Sequence, residues 1–186
     1  MKGIIFNVVE EAVTVEHGES MWDALLTRTG LDGSYTSLGD YPDADLHALI
    51  RTGAEMLDVT EADLTRRLGH ASLISLAGRY PGFFTPHRRT RDFVLRLNDV
   101  IHPEVRKLHR NADPPVFDFE VLGENVLIVG YRSSRGLCAL AEGMISGAAT
   151  YFGESCHIHH DRCTRDGSPS CRLVCTFSDE ASDGRA

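Results

Sequence analysis

The chain has 186 residues, 42% of them apolar and 25% charged, with a formal net charge of −8, the balance of one globular domain large enough to enclose a ligand. Its acidity excludes a general nucleic-acid-binding surface, and no apolar run approaches the roughly 18 residues that a membrane helix needs. Glu10 and Glu11 interrupt the only apolar stretch near the start, so a secretory signal is not expected and the expected location is cytoplasmic.

The first two-thirds of the sequence reads as helices and the last third as mixed, which makes the fold class α+β: a helical N-terminal part packed on a C-terminal part with a small antiparallel sheet. Residues 1–178 form one domain in this reading and 179–186 a polar tail. Ile4, Ile5, Val8, Val9 and Ala12 mark an opening helix. Ser20 caps a second through Leu26, Asp43 or Asp45 starts a third reaching Leu57, and Thr60 with Asp63 three residues on starts a fourth. Gly78-Arg79-Tyr80-Pro81-Gly82 breaks that fourth helix. A further helix built on Phe93, Leu97, Val100 and Ile101 is expected to end near His102, because Pro103 pushes the residue before it away from helical dihedrals. Seven of the 19 basic residues bunch between His87 and Arg110, which reads as the solvated face of that helix. After Pro114 and Pro115, residues 116–122 and 126–131 are β-rich runs joined by a hairpin at Gly123-Glu124-Asn125. Gly136 opens a helix whose stripe is Leu137, Leu140, Ala141, Met144, Ile145 and Ala148. Two more strands, near 157–163 and 171–177, flank the turn Asp166-Gly167-Ser168-Pro169 and complete the sheet.

Within Tyr131-Arg132-Ser133-Ser134-Arg135 two hydroxyls and a guanidinium fall at every second residue, so an extended segment turns all three toward one anionic group. Arg suits such a group because its planar donors meet a carboxylate two at a time. A haem propionate is one candidate, and the neutral imidazole of His102 is a usual kind of haem iron ligand. Taken alone, the same alternation also fits a solvated strand edge.

The register of several segments narrows the choice. Tyr131, Ser133 and Arg135 with His102 upstream, the start Met1-Lys2-Gly3-Ile4-Ile5, Pro115, and Gly136-Leu137-Cys138-Ala139-Leu140-Ala141-Glu142-Gly143 together resemble the stand-alone bacterial members of the haem nitric oxide/oxygen-binding (H-NOX) family over nearly the whole chain. The resemblance implies a haem b buried between the two parts, with His102 as the sole proximal iron ligand and Tyr131, Ser133 and Arg135 on the propionates. Pro115 matches a proline that presses on the macrocycle, although from the residues alone it equally ends a loop before a strand. Oxygen-binding relatives carry a distal tyrosine where this chain has Leu140, with polar support where it has Val9 and Ile74. A wall of Ile5, Val9, Ile74, Leu140 and Met144 offers no hydrogen-bond donor, which implies discrimination against oxygen and a sensor of nitric oxide that also takes carbon monoxide. The implied partner is an effector acting in trans, a histidine kinase first and a diguanylate cyclase second. The short stretch after the last strand leaves no room for either on this chain. An enzyme is not expected, because haem peroxidase or oxygenase chemistry needs a distal acid or base.

Five cysteines suggest a second metal. His160, Cys163 and Cys171 read as His-x2-Cys-x7-Cys around a glycine turn, and Cys138 lies upstream, about 200° around its helix from Leu140. Three thiolates and one imidazole make a closed, structural Zn2+ site, an arrangement similar to the zinc-containing subgroup of the same family. Disulfides or ordinary buried thiols are the other reading, and Cys156, His157, His159 and Cys175 compete as ligands. Such thiolates are oxidisable, so a zinc/thiol redox-sensing regulator is the alternative function, with a haem enzyme behind it.

Overall fold

The opening apolar run folds as α1 (Gly3–His17), burying Ile4, Phe6, Val8, Val9 and Val13, in a computed structural model that describes residues 1–179. Gly18, at φ +85° and ψ 162°, turns the chain directly into α2 (Glu19–Thr29), a conformation reserved for a residue without a Cβ. Gly18 therefore takes the capping position expected of Ser20, which lies inside the first turn. α3 (Asp43–Leu57) begins at Asp43 behind Pro42. α4 (Glu61–Arg79) starts as its sequence predicts, with the Asp63 amide donating to Thr60 Oγ1 at 3.0 Å and so occupying one of the donors that a helix start leaves open. Phe6, Val9, Trp22, Leu46 and Leu64 form a first core among these four helices.

The segment after α4 departs from the expectation. Pro81–Phe83 makes a single 3-10 turn, α5 covers Thr90–Val94, and Leu97–Ile101 widens into a π-helical turn that passes straight into α6 (His102–Leu108). His102 is itself helical, at φ −65° and ψ −37°, so the helix does not stop there. The His102 amide bonds to the Leu97 carbonyl five residues back, and this wider turn gives the Pro103 ring the room that an α-turn denies it. Pro103 then sits in the first turn of α6, where a missing amide removes no helical hydrogen bond.

The strands β1 (Val116–Leu122), β2 (Val126–Arg132), β3 (Glu154–Arg162) and β4 (Cys171–Asp179) form one antiparallel sheet in the order β1-β2-β4-β3. β4 includes Ser178 and Asp179, so the strand runs one residue into the expected tail. The rest of that tail lies outside the described residues. α7 (Cys138–Tyr151) begins two residues after Gly136 and is buried on nearly every side, with Cys138, Ala139, Gly143 and Gly147 as inaccessible as the expected stripe. It lies against α4 at backbone distance: a Cβ on Gly69 would collide with the Leu140 carbonyl, and one on Gly143 with the carbonyl of Arg66. On its other side Ile145 and Ala148 join Leu127, Val129, Leu173 and Phe177 in a second core. No described helix is long and apolar enough to cross a membrane.

Candidate functional site

Between the two cores lies a cavity of about 290 Å³. Ile4 and Ile5 reach it from α1, Leu73 and Leu76 from α4, Leu140, Met144 and Ile145 from α7, and His102 and Val105 from α6, with Pro115 and Phe117 closing it at the entry to β1. The His102 ring centroid stands 5.7 Å from that of Phe117, and its Nδ1 is buried with no hydrogen-bond partner. Burial, followed by the Arg106 charge, pushes its pKa down to about 4 against an opposing contribution from the Pro115 backbone. The result is a neutral imidazole among apolar neighbours, the state in which histidine binds a metal.

The cavity lining also includes polar residues. β2 ends at Arg132, so Tyr131, Ser133 and Arg135 do not share one extended face as the alternation suggests. A turn does the same work, with the Arg135 amide donating to Ser133 Oγ at 3.2 Å, and all three residues line the cavity. Burial raises the Tyr131 pKa and keeps its hydroxyl a donor. Arg135 Nε lies 2.9 Å from Asp43 Oδ2, and its Nη1 reaches the Asp113 carbonyl and carboxylate. Asp43 also takes the N-terminal ammonium of Met1 at 2.7 Å. Two further residues here escape the sequence analysis: Lys2, paired with Asp40 at 2.7 Å, and His109, 5% exposed with an unpartnered Nδ1. Burial and then the Lys2 charge lower the His109 pKa. Nothing in the run Leu108-His109-Arg110 marks that imidazole as buried.

The cysteine cluster assembles where three elements meet: Cys138 at the start of α7, His160 on β3 with Cys163 just beyond it, and Cys171 at the start of β4. Their ligand atoms all lie within 4.8 Å of one another. The Cys138–Cys163 and Cys163–Cys171 sulfurs are 3.6 and 3.8 Å apart, and tetrahedral zinc with Zn–S bonds of about 2.3 Å holds its sulfurs about 3.8 Å apart. His160 Nε2 is 2.9 Å from Glu142 Oε2, while its Nδ1 is buried without a partner. Burial opposes ionisation of Cys163, but the Arg165 Nε–H at 3.3 Å heads the contributions that outweigh it and bring its pKa to about 6. Cys138 is pushed up to about 12, by burial and then by Cys171 and Cys163. The Thr164 amide donates to Cys171 Sγ at 3.3 Å. These donors and distances fit Zn2+. All five cysteines are free thiols. Cys156 and Cys175 stand outside the cluster, and His157 and His159 are exposed on β3.

The sequence matches the family model described as Haem-NO-binding over residues 2–160. The chain belongs to the H-NOX family. Its fold is that of an H-NOX protein from S. oneidensis in the Fe(II)NO ligation state, at 32% identity with a TM-score of 0.90 over 96% of this chain and 100% of that one. An H-NOX domain from Shewanella oneidensis in the Fe(II)CO state matches at 32% identity and a TM-score of 0.86, over 96% of this chain and 99% of that one. An unliganded Fe(II) H-NOX protein from K. algicida matches at 26% identity and a TM-score of 0.86, over 99% of this chain and 100% of that one. Comparison with curated proteins gives no match.

Two residues of the expected H-NOX distal wall lie elsewhere. Ile5, Leu140 and Met144 line the cavity, but Val9, 2% exposed, faces the first core and a small separate cavity beside Trp22. Ile74 is 39% exposed and lies outside the lining altogether. The buried face of α4 mixes Thr65, Gly69 and Ser72 with Leu64, Leu68 and Leu73, and Leu73 and Leu76 supply the wall instead. That exchange leaves the wall without a donor at these positions. Tyr80, just past α4 and 6.2 Å from Phe83 between ring centroids, brings a hydroxyl to the lining.

Proposed function

We propose that this H-NOX domain is a haem-based sensor of nitric oxide that discriminates against oxygen and signals in trans to a separate effector, a histidine kinase or a diguanylate cyclase, with no catalytic activity of its own. The observation that carries this reading is one largely apolar cavity lined by the buried His102 imidazole and also by Tyr131, Ser133 and Arg135. His102 would hold the haem iron, and haem, when bound, would supply a ferrous centre able to take a diatomic gas. Tyr131, Ser133 and Arg135 would hold its carboxylates through charge-assisted hydrogen bonds, and Pro115 and Phe117 would bear on its edge or face from the β1 entry. Ile5, Leu73, Leu140 and Met144 would exclude water and carry no hydrogen-bond donor for a bound gas. Oxygen depends on such a donor and nitric oxide does not, so the wall selects between them. No acid or base among those wall residues stands ready to steer oxygen–oxygen cleavage. Cys138, His160, Cys163 and Cys171 would hold Zn2+ as a closed clamp, and its thiolates, being oxidisable, make that clamp a point of oxidant input.

Absorption spectra of the purified, reduced protein test the reading. Addition of nitric oxide, and separately of carbon monoxide, should shift the haem bands, while exposure to air should give no lasting oxygen complex. A stable oxygen spectrum would overturn the discrimination and direct attention to Tyr80. Protein without haem absorbance that also fails to take up added haem would overturn the sensor itself.

A further inference from the structure

Glu142 lies on α7 one turn beyond Cys138, with its side chain 12% exposed, and a single oxygen, Oε2, meets both His160 Nε2 at 2.9 Å and Arg66 Nε at 2.8 Å. Neither contact is needed to build the helix. Because Glu142 engages Nε2, the nitrogen left to the cysteine cluster is Nδ1, which is buried and has no hydrogen-bond partner among the described residues. A metal-bound imidazole carries its proton on the nitrogen away from the metal, and a carboxylate at that nitrogen fixes both the tautomer and the ring plane. Arg66 in turn is held by Asp63 Oδ1 at 2.7 Å, and Asp63 is the residue that closes the cap of α4 on Thr60. The backbone enforces the same proximity, since Gly143 stands directly against the Arg66 carbonyl. The carboxylate is therefore anchored from the neighbouring helix and is not free to swing toward solvent.

We propose that Glu142, oriented by Arg66, is the positioning residue of the Cys138–His160–Cys163–Cys171 site, holding His160 protonated at Nε2 with Nδ1 presented to the metal and tying that site to α4. The proposal rests on the reading of the cluster as a zinc site. On binding, Zn2+ accepts lone pairs from three thiolates and Nδ1, and any protons on those atoms pass to solvent. The Nε2 proton stays shared with Glu142, and nothing is oxidised or reduced.

The test is the zinc affinity of the full haem-loaded chain, measured by competition with a chelator, together with long-range nitrogen–proton NMR of the His160 ring. Glu142→Ala should weaken zinc binding about 10- to 100-fold and scramble the ring tautomer. Glu142→Gln keeps an oxygen that accepts from Nε2–H, and should restore most of the affinity. Arg66→Ala should weaken binding by a smaller factor than Glu142→Ala. A merely structural carboxylate would lower thermal stability and leave affinity and tautomer alone, and that result overturns the proposal. If the unaltered chain binds no zinc, the site reading fails and the proposal with it. If the unaltered chain and Glu142→Ala bind zinc equally tightly, the site stands and the role of Glu142 falls.

Discussion

His102 shows how surroundings change the state of one side chain. Its imidazole is ordinary, but burial beside Phe117 and the Arg106 charge keep it neutral, with a pKa of about 4. Replacing it with glycine opens a hole that free imidazole fills. His102→Gly should therefore lose haem when purified alone and regain it when imidazole is added, as read by haem absorbance per protein; full haem content without imidazole would reject the assignment. Asp43 belongs to the same scale. Burial opposes its ionisation, yet hydrogen bonds from the N-terminal amine and Arg135 hold its pKa below the ordinary 3.8. The folded state then binds that proton less readily than the unfolded chain. Its stabilising contribution is present above the unfolded value near 3.8 and is lost as the pH falls through the folded one. Because the carboxylate is 38% exposed, solvent screening limits this to about 1 kcal/mol or less. Urea unfolding of Asp43→Asn should show lower stability at neutral pH and a flatter acid limb. His102, Tyr131, Ser133 and Arg135 were singled out by the family resemblance, the alternation alone fitting a strand edge as well, and the fold brings all four to one cavity. His109 and Glu142 were not singled out, since only tertiary packing turns one ring inward and sets the other carboxylate between Arg66 and His160.

Elements were legible where their ends are set by local chemistry. Thr60 and Asp63 announce α4 because the cap is made within four residues, and Gly123 announces the β1–β2 hairpin. The π-turn before α6 was not, because a proline reads as a stop and the shift to longer-range hydrogen bonds that accommodates it leaves no pattern in residue types. The inward face of α4 was illegible for another reason: it mixes Thr65, Gly69 and Ser72 with Leu64, Leu68 and Leu73, the glycine letting α7 approach. That approach makes a testable contrast between two glycines. Gly143 faces the Arg66 carbonyl, with backbone on both sides that cannot yield, whereas a Cβ added to Gly78 near the end of α4 would meet nothing within 4 Å. Gly143→Ala should destabilise by about 1–3 kcal/mol through overpacking. Gly78→Ala should instead stabilise by roughly 0.5–1 kcal/mol, since alanine loses less backbone freedom in a helix. Thermal or urea unfolding of the two variants compares them directly, and similar effects would mean that the α4–α7 contact is looser than described.

At the scale of the molecule, two hydrophobic cores flank one cavity, and α7 with the residue before it belongs to both: Leu137 and Leu140 to the first, Ile145 and Ala148 to the second. Anything that fixes α7 to the sheet therefore also fixes the cavity wall. The cysteine–histidine cluster is placed to do this at one end, joining the first residue of α7 to the β3–β4 connection, which otherwise crosses from Arg162 to Cys171 with only a 3-10 turn at Thr164–Asp166. Zinc that binds the folded cluster and not the unfolded chain adds its binding free energy to stability. Cys156 makes no such link, as it sits within β3 and outside the cluster. Cys163→Ser should accordingly lower the zinc content, the thermal midpoint and the hydrogen-exchange protection of β3 and β4. Cys156→Ser should leave zinc at one ion per chain and cost less stability. Treatment with a strong chelator should bring the unaltered protein down to the Cys163→Ser midpoint while leaving Cys163→Ser itself unchanged. Equal midpoints for the two serine variants before and after chelation would mean that the clamp carries no stability, and that α7 is held by its glycine contacts with α4 alone.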